Sequence, residues 1–359
     1  LDNLKIVGGL TWRSNDEVVH NPDRPLIRDL DQFPYPDRKS LPIEYIESMP
    51  MDAPAVLSLD RFCTMQTTRG CPFQCIYCDI PSLARGKWRS RSPEHVLGEM
   101  QQLNDEGYRS IYLTDDHFLM QRKRIEAVCN GIIDKKLGFH WGCEGRVDSL
   151  AVEELPLMVK ANCTFLAFGV EAGTQKVLNR LKKGQTIEQI EHAVKQAKKD
   201  GIETAHGFFL IGSPDETTKD ILESFRFAVR LKLDTFSFSR LCVYRGTPLW
   251  QEYVERGIID DERDWHKWFK CSDIDPTILP SEVVHQARKK GYMLLFGYLL
   301  LLRPVATFRL LRKFSRYMTT SDICTLLWGP FSKKAKTRKP ELPERMIEQG
   351  LDSPIRTAS

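Results

Sequence analysis

No run in this 359-residue chain reaches the roughly 20 consecutive apolar residues that a membrane-crossing helix needs. The apolar run from Gly291 to Leu302 is too short and is ended by Arg303-Pro304. Charge of one sign is also scarce: 52 Lys and Arg stand against 48 Asp and Glu, a formal excess of +4. The tail after Phe331 can supply most of that excess, so no nucleic-acid partner is expected. The ten cysteines have no paired spacing and no signal-peptide pattern opens the chain. A disulfide scaffold is thereby excluded, and free thiols in a reducing, cytoplasmic setting are expected. Nor is there a second C-x₂-C or H-x₃-H pair to complete a tetrahedral zinc site. The length allows a full core in one large α/β domain or in two domains.

What the chain does have is Thr67-Thr68-Arg69-Gly70-Cys71-Pro72-Phe73-Gln74-Cys75-Ile76-Tyr77-Cys78, three thiols at C-x₃-C-x₂-C. An iron–sulfur cube normally takes four thiolates, so a loop with three leaves one iron open to an outside ligand. The rival reading, a zinc knuckle, needs a fourth ligand. Cys63 is within reach in sequence, but it sits in an apolar run and reads as a small core residue.

This loop, with the aromatic Tyr77 just before the last cysteine, resembles the C-x₃-C-x-aromatic-C signature of the radical S-adenosylmethionine (SAM) superfamily. The resemblance implies that Cys71, Cys75 and Cys78 hold a [4Fe–4S] cluster and that SAM ligates the open iron through its amino and carboxylate groups. Tyr77 would lie against the adenine. One electron, from a donor such as flavodoxin or ferredoxin, would then cleave the sulfonium. The resulting 5′-deoxyadenosyl radical abstracts hydrogen from an unactivated carbon. An oxygen-sensitive cluster also implies anaerobic conditions.

Residues 1–54 are rich in Pro and Asp, as in Asn21-Pro22-Asp23-Arg24-Pro25 and Phe33-Pro34-Tyr35-Pro36. Proline fixes φ and removes donors, so an irregular linker is expected rather than a long helix or central strand. Gly8-Gly9-Leu10, Arg24-Pro25-Leu26-Ile27 and Asp29-Leu30-Asp31 resemble the segment that joins a cobalamin-binding domain to the barrel in the cobalamin-dependent branch, similar to anaerobic magnesium-protoporphyrin cyclase and hopanoid-modifying enzymes. That domain's D-x-H-x₂-G motif is not in these residues. Since the first residue is Leu1 rather than Met, the natural N-terminus is expected upstream. The plainer alternative is an N-terminal extension that hugs the surface.

From residue 55 to 250, short apolar runs alternate with amphipathic segments, the pattern of repeated β-α units. Strands are expected near 61–68, 110–114, 139–142, 165–170, 204–211 and 235–241, and Ser92-Pro93-Glu94 reads as a helix start. The expected fold class is α/β, a partial (βα)₆ TIM-like barrel with a Pro-rich N-terminal linker and a helical C-terminal extension. Polar groups follow every strand, and in such barrels the carboxyl ends of the strands carry the active site.

A sulfonium amino acid with a ribose needs acidic and hydroxyl acceptors and a cation for its carboxylate. Asp115, Asp116 and Glu171 suit the first need and Arg146 the second. The resemblance supports these positions through Asp115-Asp116, Trp141 to Asp148 (W-x₄-R-x-D), Gly169-Val170-Glu171-Ala172-Gly173 and Ile211-Gly212-Ser213-Pro214-Asp215-Glu216-Thr217. The implied SAM contacts are therefore Tyr77, Asp115, Asp116, Arg146, Glu171 and Gly212. The chain departs from the family at Ser213-Pro214-Asp215, where Leu-Pro-Gly is usual, and at Arg245-Gly246-Thr247-Pro248, where Pro-Gly-Thr-Pro is usual. Plainer roles compete: Asp116 and Asp148 as helix caps, Arg146 and Glu171 as an ion pair across the mouth, and His117 as a surface or supporting residue. Glu144 and Cys143 are left open between core, rim and substrate contact.

After Leu249 large aromatics mark a helical region to 331, followed by a Lys-, Arg- and Pro-rich tail at 332–359 that reads as disordered. The Gly291 to Leu302 run reads as a helix buried over the substrate as a lid. Its rival is an element resting on a membrane surface, since Phe308-Arg309-Leu310-Leu311-Arg312-Lys313-Phe314 is basic and amphipathic. A lipid-like or tetrapyrrole substrate would suit the latter. The reading as a whole is a radical SAM enzyme that carries out cobalamin-assisted methylation, or cyclisation or oxidation, of a small molecule. The alternatives are a tRNA methylthiotransferase-like enzyme, whose extra domains the sequence does not display, and a non-catalytic metal-binding module.

Overall fold

The computed structural model describes residues 2–40, 61–149, 152–260 and 279–302. The chain divides into two units, 1–317 and 318–359, and every described residue belongs to the first. The basic stretch at 308–314, the aromatics at 265–269 and the tail at 332–359 lie outside the described residues.

A short hairpin interrupts the linker, whose described residues hold neither a long helix nor a central strand. β1 (Thr11–Ser14) and β2 (Glu17–His20) form an antiparallel hairpin. Its tight turn places Asn15 at φ 53, a conformation Asn tolerates, and the prolines begin only afterwards, at Pro22. Next come β3 (Phe62–Met65), β4 (Thr68–Arg69), α1 (Ile80–Leu83), β5 (Arg89–Ser90), α2 (Pro93–Asp105) and β6 (Ser110–Leu113). The chain continues as α3 (Arg122–Asp134), β7 (His140–Gly145), α4 (Leu155–Lys160), β8 (Cys163–Glu171), α5 (Gln175–Arg180) and α6 (Ile187–Asp200). It ends with β9 (Thr204–Ile211), α7 (Thr218–Arg230), β10 (Thr235–Arg240), α8 (Pro248–Glu255) and α9 (Ser281–Leu302).

Six strands make one parallel sheet in the order β3-β6-β7-β8-β9-β10, curled into a half-barrel. The expected strands are all present within a few residues, and the barrel expectation holds. The strand period of two separates the faces. Leu166, Phe168 and Val170 of β8 join the large core under the helices, whereas Phe165 and Ala167 join a separate cluster with Phe62 and Tyr112 on the inner wall. Helix starts follow the sequence. The Ser92 hydroxyl accepts from His95 N, and Thr186 and Thr217 open α6 and α7 with reciprocal capping boxes.

α9 is not a lid. Its Gly291 leaves no room for a side chain, since a Cβ there would stand 2.2 Å from the Phe225 ring of α7. Phe225 stacks on Phe238 of β10 with ring centroids 3.8 Å apart. The helix therefore covers the outer face of the edge strand, where those aromatics are already stacked, and its other side leaves Met293, Leu294, Leu300 and Leu301 exposed. Among the described residues no helix is long and apolar enough to cross a membrane. The expectation of free thiols holds at seven described cysteines, but Cys242, just past β10, is disulfide-bonded.

Candidate cluster and cofactor site

The three-cysteine loop leaves the C-terminal end of β3 and is held by the tip of the neighbouring β6. Asp115 accepts from Thr67 N at 2.5 Å, from the Thr67 hydroxyl at 2.5 Å and from Thr68 N at 2.9 Å. Arg124 of α3 donates to the same hydroxyl at 2.7 Å. Asp116 accepts from Gly70 N at 2.5 Å. Neither acid caps a helix; together they fix the backbone that carries the thiols. Gly70 is required here: its φ is +88°, and a Cβ would stand 2.2 Å from the Lys87 carbonyl oxygen. Further along the loop, Ile76 N donates to Leu181 O at 3.2 Å, and Ile76 O accepts from Leu249 N at 3.0 Å.

Cys75 is buried, whereas Cys71 and Cys78 are half-buried. Burial pushes the Cys71 thiol up and the Cys78 thiol up to about 11, and each feels the neighbouring sulfurs. Without metal Cys71 and Cys78 are neutral thiols, so loading must displace their protons. Among the described residues no three His, Cys, Asp or Glu converge on a single-ion position. Three soft thiols spread along one loop fit a cluster that spans them. Cys63 faces the core, where burial raises it to about 12.

Across the mouth, Arg146 follows β7. It forms a fork with Asp148 (Nε to Oδ1 3.0 Å, Nη2 to Oδ2 2.8 Å), donates to the Lys183 carbonyl, and points Nη1 at Cys75 Sγ at 3.3 Å. Asp148 also accepts from Gln185 at 2.9 Å, and Arg146 holds its carboxyl below the usual range despite burial. Glu171, at φ +64° where β8 bulges, accepts from Lys183 Nζ at 2.7 Å and hydrogen-bonds the Tyr77 phenol. Gly169 leaves space for this pair, because a Cβ would meet both Glu171 Oε1 and Lys183 Nζ at 2.8 Å. Arg146 and Glu171 are thus not partners of each other. Lys183, buried in the turn after α5, was missed in the sequence reading; the only available cue was its place beside Gly184 shortly after the β8 tip.

At the β9 tip Gly212 has φ +87°, and its N–H and that of Ser213 donate to one oxygen of Glu216 at 2.6 and 2.9 Å. Burial pushes Glu216 up to about 7. Asp215, which stands where the family usually has glycine, takes φ +62°, so the left-handed backbone is kept without the glycine.

With the loop, its thiols and the charged pairs placed, residues 65–228 match the model of the radical SAM superfamily. The chain carries a radical SAM domain. It is 32% identical over 296 residues to an uncharacterized methyltransferase of Pyrococcus horikoshii, covering 81% of this chain and 61% of that protein. It is 31% identical over 256 residues to the anaerobic magnesium-protoporphyrin IX monomethyl ester cyclase of Rubrivivax gelatinosus, covering 70% and 44%. Among solved structures, the radical SAM methyltransferase TsrM of Kitasatospora setae, determined with cobalamin and a [4Fe–4S] cluster bound, superposes with a TM-score of 0.59 at 19% identity. That match covers 69% of this chain and 49% of TsrM, and shares the fold. The chain thus spans between about two fifths and three fifths of the length of these curated relatives. The cofactors of a radical SAM domain are a [4Fe–4S] cluster and SAM.

The inner wall of this radical SAM domain is aromatic. Tyr112 meets Phe165 at 5.8 Å, Phe165 meets His206 at 5.9 Å, and His206 meets Phe208 at 4.6 Å between ring centroids. Two polar points interrupt it. The Tyr112 hydroxyl donates to Glu144 at 2.5 Å, and His206 contacts the Thr235 hydroxyl at 2.8 Å. Burial holds His206 down to about 4, so its imidazole is neutral. Glu144 thus faces the wall, whereas Cys143 is core. His117 is not at the surface: it is 1% exposed, packs against Phe73 at 5.6 Å and meets the Ser149 hydroxyl at 2.9 Å.

Proposed function

We propose that this chain is the catalytic part of a radical SAM enzyme that methylates, or oxidatively cyclises, a small molecule at an unactivated carbon with the help of cobalamin. The observation that carries the reading is the three-thiol loop, locked at its entry by Asp115 and Asp116 and faced by Arg146. Cys71, Cys75 and Cys78 would hold the cluster. When bound, the cluster and SAM supply a 5′-deoxyadenosyl radical for hydrogen abstraction. The protein's part is to place and shield. Asp115 and Asp116 fix the loop; Tyr77, the Glu171–Lys183 pair and the Gly212 turn line the seat beside it; the aromatic wall takes the substrate and excludes water. Methyl transfer and cyclisation are both named among the relatives. The use of cobalamin is supported by the shared fold with TsrM, and residues 1–54 are read as the approach from a cobalamin-binding part.

The test is anaerobic. Chain reconstituted with iron and sulfide, reduced and given SAM should release 5′-deoxyadenosine, with cobalamin-dependent S-adenosylhomocysteine if methyl transfer is the reaction. Cys75→Ala should hold no cluster and release neither product. A wild-type chain that loads no cluster would overturn the reading.

A peripheral membrane contact is a second reading, favoured by the exposed Met293, Leu294, Leu300 and Leu301 of α9. It suits a lipid-like or tetrapyrrole substrate. Co-sedimentation with anionic vesicles that is lost on Leu300→Glu/Leu301→Glu would support it, and no co-sedimentation would remove it.

A further inference from the structure

We propose that Arg146 sets the reduction potential of the cluster by hydrogen-bonding the sulfur of Cys75, and that it does not clamp the SAM carboxylate. The proposal rests on Cys75 being a cluster ligand. A guanidinium has five N–H donors in a rigid fork and binds a carboxylate through two parallel donors on one edge. Both such edges of Arg146 are taken. The Nε and Nη2 edge faces Asp148 at 3.0 and 2.8 Å, while the other edge gives one donor to the Lys183 carbonyl and one to Cys75 Sγ at 3.3 Å. Movement is blocked as well. The guanidinium lies 3.7 Å from the centroid of the Phe73 ring, a residue of the cluster loop itself, and Arg146 is 7% exposed. Gln185 holds Asp148 from behind at 2.9 Å.

The physical effect has a definite sign. Reduction of [4Fe–4S]²⁺ to [4Fe–4S]¹⁺ adds one electron, here from dithionite, and breaks no bond. The added negative charge is shared with the ligand sulfurs, so an N–H donor and a cation at one sulfur stabilise the reduced form more than the oxidised form. Hydrogen bonds to sulfur, local charge and exposure are what tune cluster potentials. Arg146 therefore raises the potential and makes the cluster easier to reduce.

The experiment uses the full chain, reconstituted anaerobically, as wild type, Arg146→Gln, Arg146→Lys and Asp148→Asn. Iron content is measured first, then the midpoint potential by EPR-monitored titration, then SAM binding to the oxidised protein. Arg146→Gln should lower the reduced-to-oxidised ratio at fixed potential by about tenfold, a midpoint more negative by ~59 mV for a one-electron couple. Arg146→Lys and Asp148→Asn should move it the same way by less, with SAM affinity unchanged. Fully loaded variants with the wild-type midpoint would overturn the proposal, the more so if SAM binding weakens, which would return Arg146 to the carboxylate. If the Arg146 variants do not load, Asp148→Asn decides, together with the resonance Raman Fe–S stretch of the wild type. That stretch should shift on exchange into D₂O, and its failure to shift alongside an unmoved Asp148→Asn midpoint overturns the proposal. A wild type without a cluster sinks the ligand assignment itself and is seen at the first step.

Discussion

At Asp115 both carboxylate oxygens are already hydrogen-bonded to Thr67 and Thr68 in a buried setting. Asp115→Ala leaves two backbone N–H groups without acceptors and should destabilise the chain by about 2–4 kcal/mol. Urea unfolding measures that loss, and iron bound per chain should fall with it. Asp115→Asn, which keeps one acceptor oxygen, should lose less. Glu216 gives a pH-dependent prediction. Its carboxyl is raised from 4.5 to about 7 by burial, so the folded chain keeps a proton that the unfolded chain releases. The stability this adds is full below about pH 4.5 and is lost as pH rises to about 7, by up to about 3 kcal/mol. Glu216→Gln has no such proton, so the wild type should lose ground to it between pH 5 and 7.5 when urea midpoints are compared. A constant difference across that range would show that Glu216 titrates normally.

The strands and their tips were legible because apolar runs of fixed length, each ending in polar residues, leave few alternatives to a β-α repeat. What was not legible was which tip residue meets which. Arg146 and Glu171 stand at the tips of adjacent strands, yet each takes a partner from a turn whose position only the folded chain defines, Asp148 for one and Lys183 for the other. The short β4–β5 pair was likewise unreadable, since two residues per strand carry no period. That pair brackets the cluster loop, and Gly70 follows directly on β4 at φ +88°. Gly70→Ala adds a strained φ, itself worth about 1 kcal/mol or more, to a clash with the Lys87 carbonyl. The expected result is a folded barrel by circular dichroism with little iron bound. Normal iron loading in this variant would mean that the loop tolerates a different path.

Over the whole domain, the half-barrel and the three thiols could be read in advance, whereas the division of labour at the mouth could not. Residues that pattern assigned to SAM are engaged with the protein: Asp115 and Asp116 with the loop, Arg146 with Asp148 and Cys75, Glu171 with Lys183 and Tyr77. Pattern gives residue type and order, but a carboxylate in a buried mouth takes whichever donor the packing brings to it. The Arg146–Asp148 and Lys183–Glu171 pairs cancel at contact distance, 2.8 and 2.7 Å, inside the cofactor seat. Those four side chains therefore cast little net field into the solvent, and the attraction left for a cationic sulfonium is that of the acidic cluster loop beside them. Neutralising one whole pair, Lys183→Gln with Glu171→Gln, should then leave the salt dependence of SAM affinity unchanged, and an equilibrium dialysis series in potassium chloride whose slope differed between the two chains would show an uncancelled charge in that pair.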